Sequence, residues 1–169
     1  METRLEEEVG KLLRERGLTI AIAESSTGGL ISHLITNVPG SSSYFKGTVV
    51  AYDNEVKIKI LGVKRETLEK HKSVSYQTVE EMAQGVREAL DADIGLSETG
   101  VAGPASGSSG KRAGLFYIGL SSRHGNRVQE HIFHGERLEN KKSAAEAALA
   151  MMKGYLLELK GLEEGNSSI

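Results

Sequence analysis

Hydroxyls and glycines crowd into the run Ala23-Glu24-Ser25-Ser26-Thr27-Gly28-Gly29, between a short apolar stretch and an amphipathic one. Ser25 and its neighbours are candidate nucleophiles, and the backbone N–H groups that open a helix welcome an anion or a developing oxyanion. A second run, Thr99-Gly100-Val101-Ala102-Gly103-Pro104, closes another apolar stretch. If the two preceding strands are parallel and close together, both turns open onto one crevice, where open α/β sheets bind ligands. Taken singly, each turn is equally a tight strand-to-helix connection that glycine permits. Neither is a phosphate-binding Walker loop, since no Gly-Lys-Ser/Thr follows, and neither is the dinucleotide G-x-G-x-x-G.

A serine nucleophile needs a base. His131 and His134 are three apart on a predicted strand, so they face opposite ways and cannot chelate one metal. His33 falls on a helix, and His71 and His124 fall in segments that read as exposed, so histidine triads are weak. Lys57 is the better candidate, near the first turn of a short helix after Tyr52-Asp53-Asn54-Glu55. A helix N-terminus and burial both disfavour its charge, and a neutral amine can deprotonate a serine. The competing reading is a solvated helix lysine like Lys59 and Lys64. Tyr52 ends a strand, where its hydroxyl either bridges base and nucleophile or marks an amphipathic core edge.

The elements that must position these groups follow from periodicity. Thr3-Arg4-Leu5-Glu6 reads as a capping box for a first helix that ends near Gly17. Residues 18–23 form a buried central strand, and Leu30, Ile31, Leu34 and Ile35 mark a helix to about Asn37. Residues 38–43 are a loop, and residues 47–53 read as the next buried strand. Asp53 or Asn54 caps a helix carrying Val56, Ile58, Ile60 and Leu61, and a small helix covers 65–71. Ser75 caps a longer helix to about Leu90, with Val79, Met82, Ala83, Val86 and Leu90 inward. Residues 93–98 form a strand, 105–112 an exposed polar loop, and 113–121 with 127–134 a hairpin around Arg123-His124-Gly125-Asn126. The last helix runs from about Asn140 to Lys160, ahead of a frayed tail over 161–169. The pattern is a three-layer α/β/α fold with a mixed, mainly parallel sheet and a late antiparallel hairpin.

With 169 residues, the chain suits one domain, here 1–160. A composition 38% hydrophobic and 26% charged is that of an ordinary globular protein, and the formal charge of −2 gives no electrostatic reason to expect nucleic acid or an anionic membrane as partner. No apolar run long enough to span a bilayer and no signal-peptide pattern occurs, so a cytoplasmic protein is expected. Cysteine is absent, which excludes disulfides, thiolate metal sites and a cysteine nucleophile. Neither a metal nor a cofactor is expected.

The sequence resembles a known family. The matching motifs, in order, are the run at 23–29, Val38-Pro39-Gly40-Ser41-Ser42, Val49-Val50-Ala51-Tyr52-Asp53-Asn54-Glu55-Val56-Lys57, Leu61-Gly62-Val63 and Thr99-Gly100-Val101-Ala102-Gly103-Pro104. They are similar to the C-terminal domain of the competence-damage-inducible CinA proteins, whose stand-alone members include nicotinamide-mononucleotide deamidases. Longer members add an N-terminal domain that this sequence does not include. The resemblance implies an amidohydrolase that converts nicotinamide mononucleotide and water to nicotinic acid mononucleotide and ammonia. In that scheme Ser25 is the nucleophile, Lys57 the general base and Tyr52 an assisting residue. The resemblance further implies substrate contacts from Ser26, Thr27, Gly28, Gly29, Ser41, Ser42, Asn54, Thr99, Gly100, Val101, Ala102, Gly103, Arg137 and Lys141. Backbone amides near 27–29 or 99–100 are the expected oxyanion donors.

Three departures stand out. Family members often have cysteine where this chain has Ser26. Their glycine-rich segment ending Lys-Pro-Val-Gly is replaced here by residues 105–114. Their Gly-Asp-Arg is Gly135-Glu136-Arg137, and an arginine four residues on is Lys141. Arginine pairs with a phosphate bidentately, whereas lysine offers only a point charge. Two other readings therefore stand beside the deamidase: a catalytically silent nucleotide- or partner-binding module, and a hydrolase of another small amide. A homodimer is the expected assembly.

Overall fold

A computed structural model describes residues 4–104, 106 and 110–166. Its five-stranded sheet has the order β2-β1-β3-β4-β5, with β1 (Ile20–Glu24), β2 (Phe45–Val50), β3 (Ile94–Gly100), β4 (Leu115–Ser122) and β5 (Gly125–Ile132). β1 pairs in parallel with β2 and β3, and β3-β4-β5 is antiparallel. This is the expected three-layer arrangement with a mixed sheet.

Every residue of β1 is buried, and its alternation divides the core. Ile20 and Ile22 face α1 (Leu5–Arg16), α2 (Leu30–Thr36) and α6 (Arg137–Asn166) through Val9, Leu13, Ile31, Ile35 and Leu149. Ala21 and Ala23 face the opposite layer of α3 (Asn54–Leu61), α4 (Arg65–His71) and α5 (Tyr76–Ala89) through Leu61, Leu68, Met82 and Val86. Small residues on that face let α5 lie close to the sheet. A Cβ at Gly95 would sit 2.0 Å from the Ala83 carbonyl oxygen, and one at Gly119 would sit 2.8 Å from that of Val79.

Several boundaries differ from expectation. Thr3, the expected cap of α1, lies outside the described residues; Arg4 is the N-cap, and its amide donates to the Glu7 carboxylate at 3.4 Å. β2 is an edge strand, not a buried one, because only β1 pairs with it, and its residues alternate between half-buried and exposed. α6 begins at Arg137 and continues to Asn166, past the end expected near 160. A single Gly161 costs a helix only about 1 kcal/mol, too little to stop it there. Half of the expected loop at 105–112, namely 105 and 107–109, lies outside the described residues, as do 167–169.

Candidate active site

The three parallel strands end on one rim. The chain leaves β1 towards β2 on one side and returns by α3, α4 and α5 to β3 on the other, so a topological switch point falls between β1 and β3. A cavity of about 480 Å³ opens there, within the range of small-molecule sites. Ser25 and Ser26 line it from the first turn, Tyr52, Asp53, Asn54 and Lys57 from the β2–α3 segment, and Thr99, Gly100, Val101, Ala102 and Gly103 from the second turn. Arg137 reaches in from α6.

Lys57 and Ser25, 32 residues apart, meet in this cavity. Lys57 Nζ lies 3.1 Å from Ser25 Oγ, 2.6 Å from the Ala51 carbonyl oxygen and 3.4 Å from that of Tyr52. Asp53 caps α3 by accepting the Glu55 N–H at 2.7 Å. Helical side chains lean towards the N-terminus, which turns Lys57 back under the rim and buries it to 1% exposure. Burial lowers the Lys57 pKa, and the nearby carboxylates Glu98 and Asp53 oppose that shift. Two of its three neighbours are carbonyls that only accept. An ammonium donates to all three oxygens, whereas a neutral amine with both N–H bonds on the carbonyls would turn its lone pair to the Ser25 hydroxyl.

Tyr52 does not bridge this pair. Its ring is largely exposed, its hydroxyl accepts from Arg137 Nη2 at 3.3 Å, and it is the carbonyl that touches Lys57. Thr27 does not face the cavity either, because its amide and hydroxyl are both engaged with buried carboxylates. Gly28 and Gly29 sit at the outer edge of the turn, where Lys141 Nζ would lie 3.7 Å from a Cβ placed on Gly28. Ser41 and Ser42 are not brought to the cavity. They form a short turn, Ser41–Ser43, leading to Phe45, which pairs with Ile20 at the amino end of β1.

The amides expected to bind an oxyanion are mostly taken. Thr27 N donates to Glu98 at 3.0 Å, Gly28 N to the Ser25 carbonyl at 3.3 Å, and Gly29 N to Glu24 at 3.0 Å. Two amides remain. Ser26 N makes no hydrogen bond among the described residues. Along β3, Ile94 N points towards β1 by donating to Thr19 O, and Val101 N points towards β4 by donating to Leu115 O. That alternation aims Gly100 N at the β1 side, beyond the last β1–β3 pair, Ala23 with Ser97. It therefore faces the Ser25 turn. Nor could Gly100 be another residue, since a Cβ there would meet the Phe116 ring at 2.2 Å.

Three residues that hold the site were not singled out from the sequence. Glu24 and Glu98, fully buried at or near the ends of β1 and β3, fasten the first turn; the signal was a charge closing an apolar strand. Asn140 fastens the second turn by donating to the Ala102 carbonyl at 3.0 Å and the Gly135 carbonyl at 2.8 Å, while accepting Gly135 N at 3.0 Å. Arg137 adds a bond to the Gly103 carbonyl at 2.7 Å. Ser73 and Val74 also line the cavity, and no local pattern marks them. Among the described residues no group of three or more His, Asp or Glu is placed to hold a metal, and no helix is long and apolar enough to cross a membrane.

A three-layer α/β fold with a buried serine–lysine pair at the switch point of its sheet defines the class of protein. The model of the CinA C-terminal domain matches residues 2–156, and the chain belongs to that family. It is 51% identical over 156 residues to a competence-damage inducible protein of Halothermothrix orenii, covering 92% of this chain and 38% of that one. It is 49% identical to a CinA-like protein of Chloroherpeton thalassium, covering 90% of this chain and 37% of that one. The chain thus spans less than two-fifths of the length of these relatives. A crystal structure of a CinA superfamily protein from Klebsiella pneumoniae superposes with a TM-score of 0.88 at 30% identity, covering 91% of this chain and 96% of that one. A competence or damage-inducible protein from Enterobacter asburiae gives 0.87 at 32% identity, covering 90% of this chain and 96% of that one.

Proposed function

We propose that this protein is an amidohydrolase that converts nicotinamide mononucleotide to nicotinic acid mononucleotide and ammonia. The observation that carries this reading is the 3.1 Å approach of buried Lys57 Nζ to Ser25 Oγ. Ser25 Oγ attacks the carboxamide carbon while its proton passes to Lys57. The oxyanion of the tetrahedral intermediate takes hydrogen bonds from Ser26 N and Gly100 N, the second being the residue that β3 aims at the turn. Lys57 then protonates the departing nitrogen, and ammonia leaves an ester on Ser25. Water, deprotonated by Lys57, cleaves that ester to the carboxylate and restores the serine. Arg137, which lines the cavity, supplies positive charge for the phosphate, and Lys141, one helical turn further along α6 and beside Gly28, adds charge outside the lining.

Because burial depresses the Lys57 pKa, activity rises as pH climbs through that lowered value, not near the ordinary lysine range. The test incubates the purified chain with nicotinamide mononucleotide and measures ammonia. Ser25→Ala is expected to lower kcat by at least about 10³-fold while leaving nucleotide binding in place. Thermal stabilisation by the nucleotide without ammonia would instead identify a binding module. Ammonia from other amides but not from this one would identify a hydrolase of different specificity.

A further inference from the structure

The first turn contains a count that does not close with two ionised carboxylates. Thr27 Oγ1 lies 2.7 Å from Glu24 Oε2 and 2.8 Å from Glu98 Oε2. Ser26 Oγ also makes a short contact with Glu98 Oε1. These are three oxygen–oxygen hydrogen-bond contacts, and the two hydroxyls bring only two protons. A carboxylate brings none. Placing the missing proton on Glu98 Oε1 still leaves one Thr27 contact empty. Only a proton on the line through Thr27, at Oε2 of either glutamate, fills all three.

We infer that Glu24 and Glu98 hold one proton between them, resident on Glu98, and that Glu98 acts as a neutral positioning residue for the nucleophile turn. The donor sets decide where the proton resides. Glu24 receives the amides of Gly29, Ile31 and Ser32 and the Ser32 hydroxyl, at 2.6–3.1 Å, so its negative charge is well met. Glu98 receives only the amides of Ser25 and Thr27, at 3.1 and 3.0 Å, beside the Ser26 and Thr27 hydroxyls. It is fully buried, no cation among the described residues bonds to it, and β4 sets Ile118 opposite it. The other ionisable groups facing this cluster are Glu24 from β1 and Lys57 from α3, the latter with Asp53 at its helix cap; α5 and α6 bring none to Glu98 among the described residues. Burial pushes the Glu98 pKa up, in the same direction.

The arrangement has a consequence for the base. An ionised Glu98 would favour the charged form of Lys57, whereas a protonated Glu98 leaves Lys57 to its desolvated, neutral state. The proton itself is independent of the proposed reaction; its effect on the base rests on the reading of Lys57 given above.

Infrared spectroscopy of the whole chain at neutral pH tests the proton directly. The expected result is a protonated-carboxyl C=O band that shifts with ¹³C-labelled glutamate, disappears in Glu98→Gln and survives in Glu24→Gln. Absence of that band from the labelled wild type overturns the inference whether or not either variant folds. Loss in Glu24→Gln with retention in Glu98→Gln overturns the assignment to Glu98. The pH–rate profile supplies the second readout. With a neutral Glu98, Glu98→Gln lowers the rate but keeps the acid-side midpoint. A midpoint moved down by about half a unit or more shows that an anion was removed and overturns the inference. If the chain releases no ammonia, the proposed reaction fails while the infrared result still stands or falls alone.

Discussion

The two turns that meet in the crevice are held by opposite means. The turn after β1 is fastened from within the sheet: two buried glutamates take up its amides and hydroxyls, and no side chain from outside is needed. The turn after β3 is fastened from without, by Asn140 and Arg137 of α6 on its carbonyls, and by Thr99 Oγ1 donating to Ser73 O at 2.9 Å. The first arrangement suits a nucleophile, whose position must not drift by even an ångström. The second suits recognition, because the helix that holds the turn also presents Arg137 and Lys141. In the proposed reaction the nucleophile sits on the turn with internal support, and the substrate contacts, with one oxyanion donor at Gly100, on the turn with external support.

Lys57→Met tests the first arrangement most severely. Activity is expected to fall at least about 10³-fold, because no other base reaches Ser25 Oγ among the described residues. Stability should respond with a definite sign. The folded-state pKa of Lys57 lies below its unfolded value, about 10.4, so burial costs nothing above that value. As pH falls from the unfolded pKa towards the lower folded one, the unfolded chain takes up a proton that the folded chain does not. The wild type loses stability as a result, whereas the variant does not. The Tm of the variant relative to wild type is therefore expected to rise between pH 9 and pH 6. A constant difference across that range would show that Lys57 is charged throughout, and the contrast between the turns would lose its chemical half.

Asn140→Ala breaks the second arrangement. It strands the buried Ala102 O and the part-buried Gly135 O and N, at a cost of about 3 kcal/mol in all. For a domain of this size that lowers Tm by about 6–12 °C. A rise in KM larger than the fall in kcat is expected. The turn that shifts binds substrate and supplies only Gly100 N to the oxyanion, while the turn that carries Ser25 and Ser26 N stays clamped. An equal loss in both would mean that Gly100 N, and not Ser26 N, carries most of the oxyanion stabilisation.

How far these features were legible depends on what decided each. β1 announced itself, because a strand buried on both faces needs a continuous apolar run, and 18–23 is one. The run Thr48-Val49-Val50-Ala51 looks much the same, yet β2 lies at the sheet edge, and strand order is not written in a strand's own composition. Ser25 and Lys57 could be nominated by type, but their meeting depends on how α3 docks under the rim, which local spacing does not contain. Ser41 and Ser42 could have been set aside on topology. A parallel crossover returns the chain to the amino end of the sheet, so the loop before β2 lies at the end away from the site. Glu24 and Glu98 were visible as charges closing apolar strands, a pattern that demands buried partners and was worth following.

Lys72→Gly probes the weakest support of the second turn and should have the smallest effect. Lys72, at the end of α4, holds φ 70° and ψ 172°, a region that L side chains occupy only under constraint. The constraint is visible: its carbonyl accepts Ser75 Oγ at 3.1 Å and Thr78 Oγ1 at 2.8 Å, the bonds that start α5. This bend carries the chain into Ser73 and Val74, which form the cavity wall and receive the Thr99 hydroxyl. Glycine adopts the same backbone without strain but adds entropy to the unfolded chain, so the net gain is about 1 kcal/mol, or about 2–4 °C in Tm. Among the described residues the Lys72 ammonium bonds only to the exposed Glu69 carbonyl, so little is lost with it. KM and kcat should hold, because the bend itself is kept. A gain in Tm accompanied by a higher KM would show that the strain is what presses Ser73 against Thr99, and that the second turn, unlike the first, is held in tension.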